Sequence, residues 1–141
     1  SQLAMLTPSA GLKGIKEFAL STVLRAGSNP CPPTIIGMGI GGSADISMKL
    51  AKEALLRPLD VRNKDPEVAK LETELLEAMN MLGIGPMGLG GKTTMLGLNI
   101  EYAYCHTASL PVAINVQCWA GRRGTVRIHK DGKLEFPTHE G

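Results

Sequence analysis

Nine of the chain's seventeen glycines fall in two runs, "GMGIGG" at residues 37–42 and "GIGPMGLGG" at 83–91. Each run sits where the hydrophobic period changes. "TIIGMGI" (34–40) is a short apolar run with β-branched residues, and reads as a buried strand that leads through glycines into a helix. Before the second run the apolar residues recur at helical spacing. After it comes "TTMLGLNIEYAY", rich in β-formers and without a helix period. The two runs therefore fix two junctions between helix and strand.

The remaining elements follow from stripes and breakers. Residues 12–26 carry Leu12, Ile15, Ala19 and Val23 on one helical face, and Gly27 and Pro30 end that helix. Ser43 is placed to cap a helix over about 44–57, with Ile46, Leu50 and Ala54 beside Ala51 and Leu55. Residues 58–65 form a polar connector. Asp65-Pro66-Glu67 starts a third helix: cap, proline at the first position, acid in the first turn. Val68, Leu71, Leu75, Ala78 and Leu82 continue its stripe and Gly83 closes it. Strand-like segments then lie at about 93–104, 110–118 and 124–129, followed by a turn at Asp131-Gly132 and a tail. The order predicts a mixed α/β (α+β) domain, helices packed on a small mixed sheet, with residues 1–141 as a single domain.

Two phosphate-binding patterns are tested by spacing. "GLGGKTT" ends in Gly-Lys-Thr, but a P-loop needs a glycine five residues before Gly91, and Pro86 stands there. The helix whose N-terminus would cradle a phosphate is also missing, because a strand pattern follows. Gly37-x-Gly39-x-x-Gly42 lies between a strand and a helix, as in a dinucleotide fold. Asp60 stands at about the right distance, but in "RPLDVRNKD", which has no strand character. A non-catalytic nucleotide-binding module using this turn is the alternative reading. Otherwise these glycines allow tight packing of helix on strand, or line a site.

A formal net charge of +2 and 4% aromatic residues give neither the field nor the stacking surface of a nucleic-acid binder. The basic run Arg122, Arg123, Arg127, His129 and Lys130 reads as a solvated edge. No apolar run reaches membrane length and no signal peptide is evident, so no membrane partner and a cytoplasmic location are expected. Three cysteines, Cys31, Cys105 and Cys118, are an odd number, and read as reduced thiols or ligands rather than a disulfide frame.

Each thiol has its own context. Cys31 in "NPCPPT" is followed by two prolines, which predict extended backbone and a rigidly held side chain. Cys118 ends the strongest strand, "LPVAINVQC", where a ligand can sit at a loop. No C-x-x-C spacing supports zinc. Cys105 and His106 are neighbours, and on a strand they would point to opposite faces, so they do not make a nucleophile pair. His129 and His139 have no supporting context.

Taken in order, "NPCPPTIIGMGIGG", "AKEALLRPL", "LETELLEAMNMLGIGPMGLGGKTT" and "CHTASLPVAINVQCWAGRR" closely resemble the class I fumarase and L(+)-tartrate dehydratase family. More specifically, they resemble the α subunit of its two-subunit form, from about Ser1 to Arg123. The resemblance implies an iron–sulfur hydro-lyase that reversibly dehydrates a C4 hydroxydicarboxylate: malate to fumarate, or L-tartrate to oxaloacetate. It implies a 4Fe–4S cluster held by three cysteines, with an open iron for the substrate hydroxyl. Cys31 and Cys118 match two of those ligands, and His106 matches a substrate-contacting histidine. The family's third cysteine, and its GGGS segment, would lie upstream of Ser1. Cys105 matches no ligand. The chain thus looks like the C-terminal portion of an α-subunit domain, with no proton-transferring catalytic residue of its own. The resemblance assigns those groups to a β subunit or β domain, in a homo- or hetero-oligomer. "GIGPMGLGGKTT" matches a family signature near substrate and cluster.

Overall fold

The computed structural model describes residues 1–121 and 124–137. Arg122, Arg123 and His139 lie outside the described residues, as does the end of the expected tail. The main sheet holds four strands: β1 (Gln2–Leu6), β2 (Thr34–Ile40), β3 (Met95–Tyr102) and β4 (Leu110–Gln117). Their spatial order is β1-β4-β2-β3. β2 and β3 run parallel, β4 is antiparallel to β2, and β1 is antiparallel to β4. The helices are α1 (Gly11–Ala26), α2 (Ala44–Ala54) and α3 (Pro66–Asn80). A two-stranded ribbon, β5 (Arg127–Ile128) and β6 (Leu134–Glu135), follows, turning at Gly132 with φ +84°. The α/β class read from the sequence is the fold.

Strand alternation divides the sheet into two faces. Ile36, Met38, Leu98, Ile100, Val112 and Ile114 share one core with Ile15, Ala19 and Val23 of α1 and Leu71, Leu75 and Met79 of α3. The other face carries Gly37 and Gly39, and α2 lies on them. A Cβ on Gly37 would sit 2.1 Å from the Ala51 carbonyl oxygen, and one on Gly39 would sit 2.0 Å from that of Ser47. Close helix-on-strand approach is therefore what these two glycines provide.

The outer edge of β3 is sealed by side chains. The Ile100 amide donates to Glu72 Oε1 over 2.8 Å, and the Ile100 carbonyl accepts from Asn63 Nδ2 (2.8 Å) and Arg57 Nη2 (3.1 Å). Arg62 Nη1 donates to the Leu98 carbonyl at 3.3 Å. Glu72 is fully buried, and Arg57 also bonds its carboxylate. An edge strand left with free backbone groups invites pairing with other chains. Here Glu72 of α3 and the connector between α2 and α3 consume them.

Several local expectations are corrected. β1 was not expected from "QLAML". Its pairing partner β4 lies more than a hundred residues away. Ser43 precedes α2 in extended conformation but makes no capping bond. Its hydroxyl donates instead to Asp45 Oδ1. On α2 the buried residues are Ser47, Ala51 and Ala54, while Ile46 is exposed. Leu12 of the α1 stripe is also exposed. The strand expected over 124–129 shrinks to Arg127–Ile128. Asp65 caps α3 as expected, accepting from the Glu67 amide at 2.9 Å.

Candidate functional site

Strand direction assigns every candidate residue to one of two sheet edges. Cys31 precedes β2, Lys92 precedes β3, and Cys118 follows β4. Because β2 and β3 are parallel and β4 is antiparallel to them, all three meet at the same edge. His106 and Cys105 lie in the β3–β4 loop, at the opposite edge. Seven residues of β2 separate the two edges, roughly 20 Å at ~3.3 Å per residue.

Three loops close on one another at the first edge. α1 ends at Gly27, whose amide bonds Val23, and the chain turns again so that the Cys31 amide donates to the Ser28 carbonyl at 3.0 Å. This turn puts Cys31 at φ +54°, where the two following prolines had predicted extended backbone. The Cys31 carbonyl accepts the Trp119 amide at 3.4 Å, which sets the residue after Cys118 against Cys31. The Pro32 carbonyl accepts the Met87 amide at 2.7 Å. Gly88 packs so tightly on the first loop that a Cβ there would be 2.3 Å from Ser28 Cβ. Sequence reasoning missed Ser28, which nothing local in the sequence signals, whereas Met87 lies in the glycine-rich segment already singled out.

Cys31 and Met87 are the described non-glycine residues with positive φ, and both belong to this cluster. A strained backbone of this kind costs on the order of 1–3 kcal/mol per residue and persists where surrounding contacts impose it. Both cysteines are free thiols. Cys31 is exposed and Cys118 half-buried. Two soft cysteine sulfurs on hydrogen-bonded loops are the ligand type that iron–sulfur or another thiophilic metal takes. Among the described residues no set of three His, Cys, Asp or Glu side chains is grouped to hold a metal ion. Cys105 is at the far edge, with its thiol on the Ser109 carbonyl (3.2 Å).

At the far edge His106 is exposed. Its Nδ1 accepts the Ala108 amide at 3.1 Å, so the neutral ring carries its proton on Nε2. Both residues lie in a loop rather than on a strand. The Gly41–Gly42 turn is also at this edge, where a Cβ on Gly41 would lie 1.9 Å from the Ala103 carbonyl oxygen.

Comparison with known proteins adds a family. The model of the fumarate hydratase (fumerase) family matches residues 1–127. The chain is 59% identical over 134 residues to a Methanocaldococcus jannaschii protein named "Putative L(+)-tartrate dehydratase subunit alpha", covering 95% of this chain and 47% of that one. It is 40% identical over 135 residues to the L(+)-tartrate dehydratase subunit alpha of Escherichia coli strain UTI89. To the protein of that name in strain K12 it is 39% identical. These two alignments each cover 96% of this chain and 45% of the relative. The chain thus spans a little under half the length of the curated relatives it matches.

Proposed function

The chain belongs to the fumarate hydratase (fumerase) family, and we propose that it is the C-terminal part of the α-subunit domain of an iron–sulfur hydro-lyase. The reaction is reversible loss of water from a C4 hydroxydicarboxylate, malate or L-tartrate. The observation that carries this reading is the Trp119-to-Cys31 hydrogen bond, which sets the loops of two free cysteines side by side.

Cys31 and Cys118 are the residues that would hold a 4Fe–4S cluster, with one more cysteine from outside this chain. When bound, the cluster supplies an open iron that acts as a Lewis acid on the substrate hydroxyl. This chain's part is to present two thiolates on loops fixed by backbone hydrogen bonds, so that their geometry is set before a metal arrives. The glycine segment 83–91 lets main chain stand beside them without side chains in the way. The proton removed from carbon comes off through a base on another chain, a β subunit or β domain. Unpaired cysteines suit a reducing, cytoplasmic compartment.

His106 is a substrate-binding residue in this reading, with Nε2–H as the donor to a carboxylate or hydroxyl. It lies an entire sheet length from the cysteines of its own chain. It therefore serves a site only where a second polypeptide, or a second copy, brings one to the far edge.

The test is iron and acid-labile sulfide in the complete enzyme, purified with its partner without oxygen. Wild type should carry both, and Cys118→Ser should lose them together with fumarate, malate or tartrate turnover. Iron-free wild type with unreactive thiols would sink the assignment.

A further inference from the structure

We infer that Lys92 and the main-chain amides of Gly91, Lys92 and Thr93 form a binding subsite for one carboxylate of the substrate, a step that rests on the hydro-lyase reading above. The amides of this segment divide sharply. Those of Gly85, Met87, Gly88, Leu89 and Gly90 each donate within the protein, to Thr94 Oγ1 or to main-chain carbonyls, and Pro86 has none to offer. Thr94 and Met95 both donate to Asn80 Oδ1, at 2.8 and 2.9 Å. Between these two satisfied stretches, the amides of Gly91, Lys92 and Thr93 have no acceptor among the described residues. Lys92 has no ion-pair partner there either.

Position gives these donors a use. The Thr94 carbonyl accepts the Thr34 amide at 3.1 Å, so the segment joins the sheet three residues along from Cys31. The edge order is Cys118, then Cys31–Thr34, then Lys92–Thr94. Asn80 anchors one side of the free stretch. On the other, the Gly90 amide closes on the Ile84 carbonyl at 2.8 Å, and a Cβ on Gly85 would meet the Gly90 oxygen at 2.0 Å. Consecutive free amides with a cation among them are anion-binding chemistry. A dicarboxylate entering such a site exchanges hydration for charge-assisted hydrogen bonds. The Gly-Lys-Thr ending thus has an anionic ligand without the helix a P-loop requires: its amides come from the entry to a strand.

The experiment uses the complete enzyme with its partner, without oxygen, and succinate as a non-reacting C4 dicarboxylate. Lys92 reactivity toward reductive methylation is read by mass spectrometry with succinate or with chloride at equal ionic strength. Succinate should slow labelling several-fold. Lys92→Met should raise KM about ten-fold, the size of one charge-assisted contact, with iron and sulfide unchanged, and Lys92→Arg should recover most of the loss. Equal labelling under both salts, or unchanged KM in a cluster-loaded Lys92→Met enzyme, would overturn the subsite. So would a raised KM accompanied by loss of iron, because Lys92 would then be holding the loop. Iron-free wild type would defeat the hydro-lyase reading instead, and the labelling comparison would still decide the anion subsite by itself.

Discussion

The amide of Trp119 donates to the carbonyl of Cys31 across 3.4 Å, joining the residue after Cys118 to a loop eighty-odd positions earlier in the chain. Neither partner is in a regular strand. The bond lies beyond the last rung of the β2–β4 ladder, Ile35 with Gln117, outside its register, and ties together the loops that bear the thiols. The same ladder, followed the other way, leads to the β3–β4 loop and His106. One sheet therefore holds two candidate contributions to chemistry and keeps them apart.

That separation gives a prediction for the three cysteines. Cys31→Ser and Cys118→Ser should each abolish iron and sulfide in the complete enzyme, while Cys105→Ser should retain both. None of the three should shift the thermal midpoint of the iron-free protein by more than a few degrees, since no thiol is fully buried. Iron analysis with a thermal melt on the same samples checks it. Loss of iron in Cys105→Ser at unchanged stability would refute the two-edge arrangement.

The buried carboxylate at the β3 edge should dominate stability. Glu72 is fully buried and accepts from Arg57 and from the amides of Asn63 and Ile100. Glu72→Ala leaves Arg57 with less compensation and frees an amide of the edge strand, a loss of about 3–5 kcal/mol for a broken buried pair. Glu101 also faces Arg57, at 3.5 Å, but is a third exposed. Glu101→Ala should cost no more than about 1 kcal/mol. Urea midpoints of the two variants decide it, and equal midpoints would contradict the edge-sealing role.

How much of this was legible from residues depends on how far apart the causes lie. α3 was readable because proline, cap and stripe are all local, and Asp65 does accept from Glu67. β1 was not, because Leu, Ala and Met carry no strand preference and the pairing partner is remote. The α2 face was legible in part: Ala51 and Ala54 are buried as expected, but Ile46 is exposed and Ser47 is buried, for a physical reason. Hydropathy favours Ile46, but the helix lies on Gly37 and Gly39, and that closeness buries the small residues Ser47, Ala51 and Ala54. The cysteines stood out through family resemblance, not spacing. That His106 faces away from them follows from strand order, which no local pattern encodes.

The Asp65–Tyr102 contact should show in the pH profile. Tyr102 Oη bonds Asp65 Oδ2 at 3.0 Å. That hydroxyl, and next the Glu67 amide, hold the Asp65 carboxyl below its ordinary range, and the same contact raises the Tyr102 phenol. A depressed carboxylate contributes stability above its unfolded pKa of about 3.9 and loses it as pH falls through the lower folded value. A raised phenol contributes below its unfolded pKa of about 10 and loses it as pH rises through the folded value. Tyr102→Phe should therefore lower the thermal midpoint near neutrality, with the gap to wild type narrowing at both extremes. A gap constant from acid to alkali would mean that the bond contributes nothing.

Gly39→Ala tests the packing role of the first glycine run against its use as a nucleotide cradle. A methyl there would lie 2.0 Å from the Ser47 carbonyl oxygen and 2.7 Å from the Ala51 amide nitrogen. Both are backbone, so no side chain can swing aside, and α2 must lift off β2. Overpacking of this kind costs typically about 1–3 kcal/mol. Gly83→Ala is the control: φ is +66° but nothing lies within 4 Å, so its cost is confined to the left-handed backbone, roughly 1–2 kcal/mol. The larger loss should fall on Gly39→Ala, and NAD or AMP titrated onto wild type should give no saturable signal, because α2 already fills the space that a phosphate would need. Saturable binding that Gly39→Ala removes at unchanged stability would reverse the conclusion and restore the nucleotide reading.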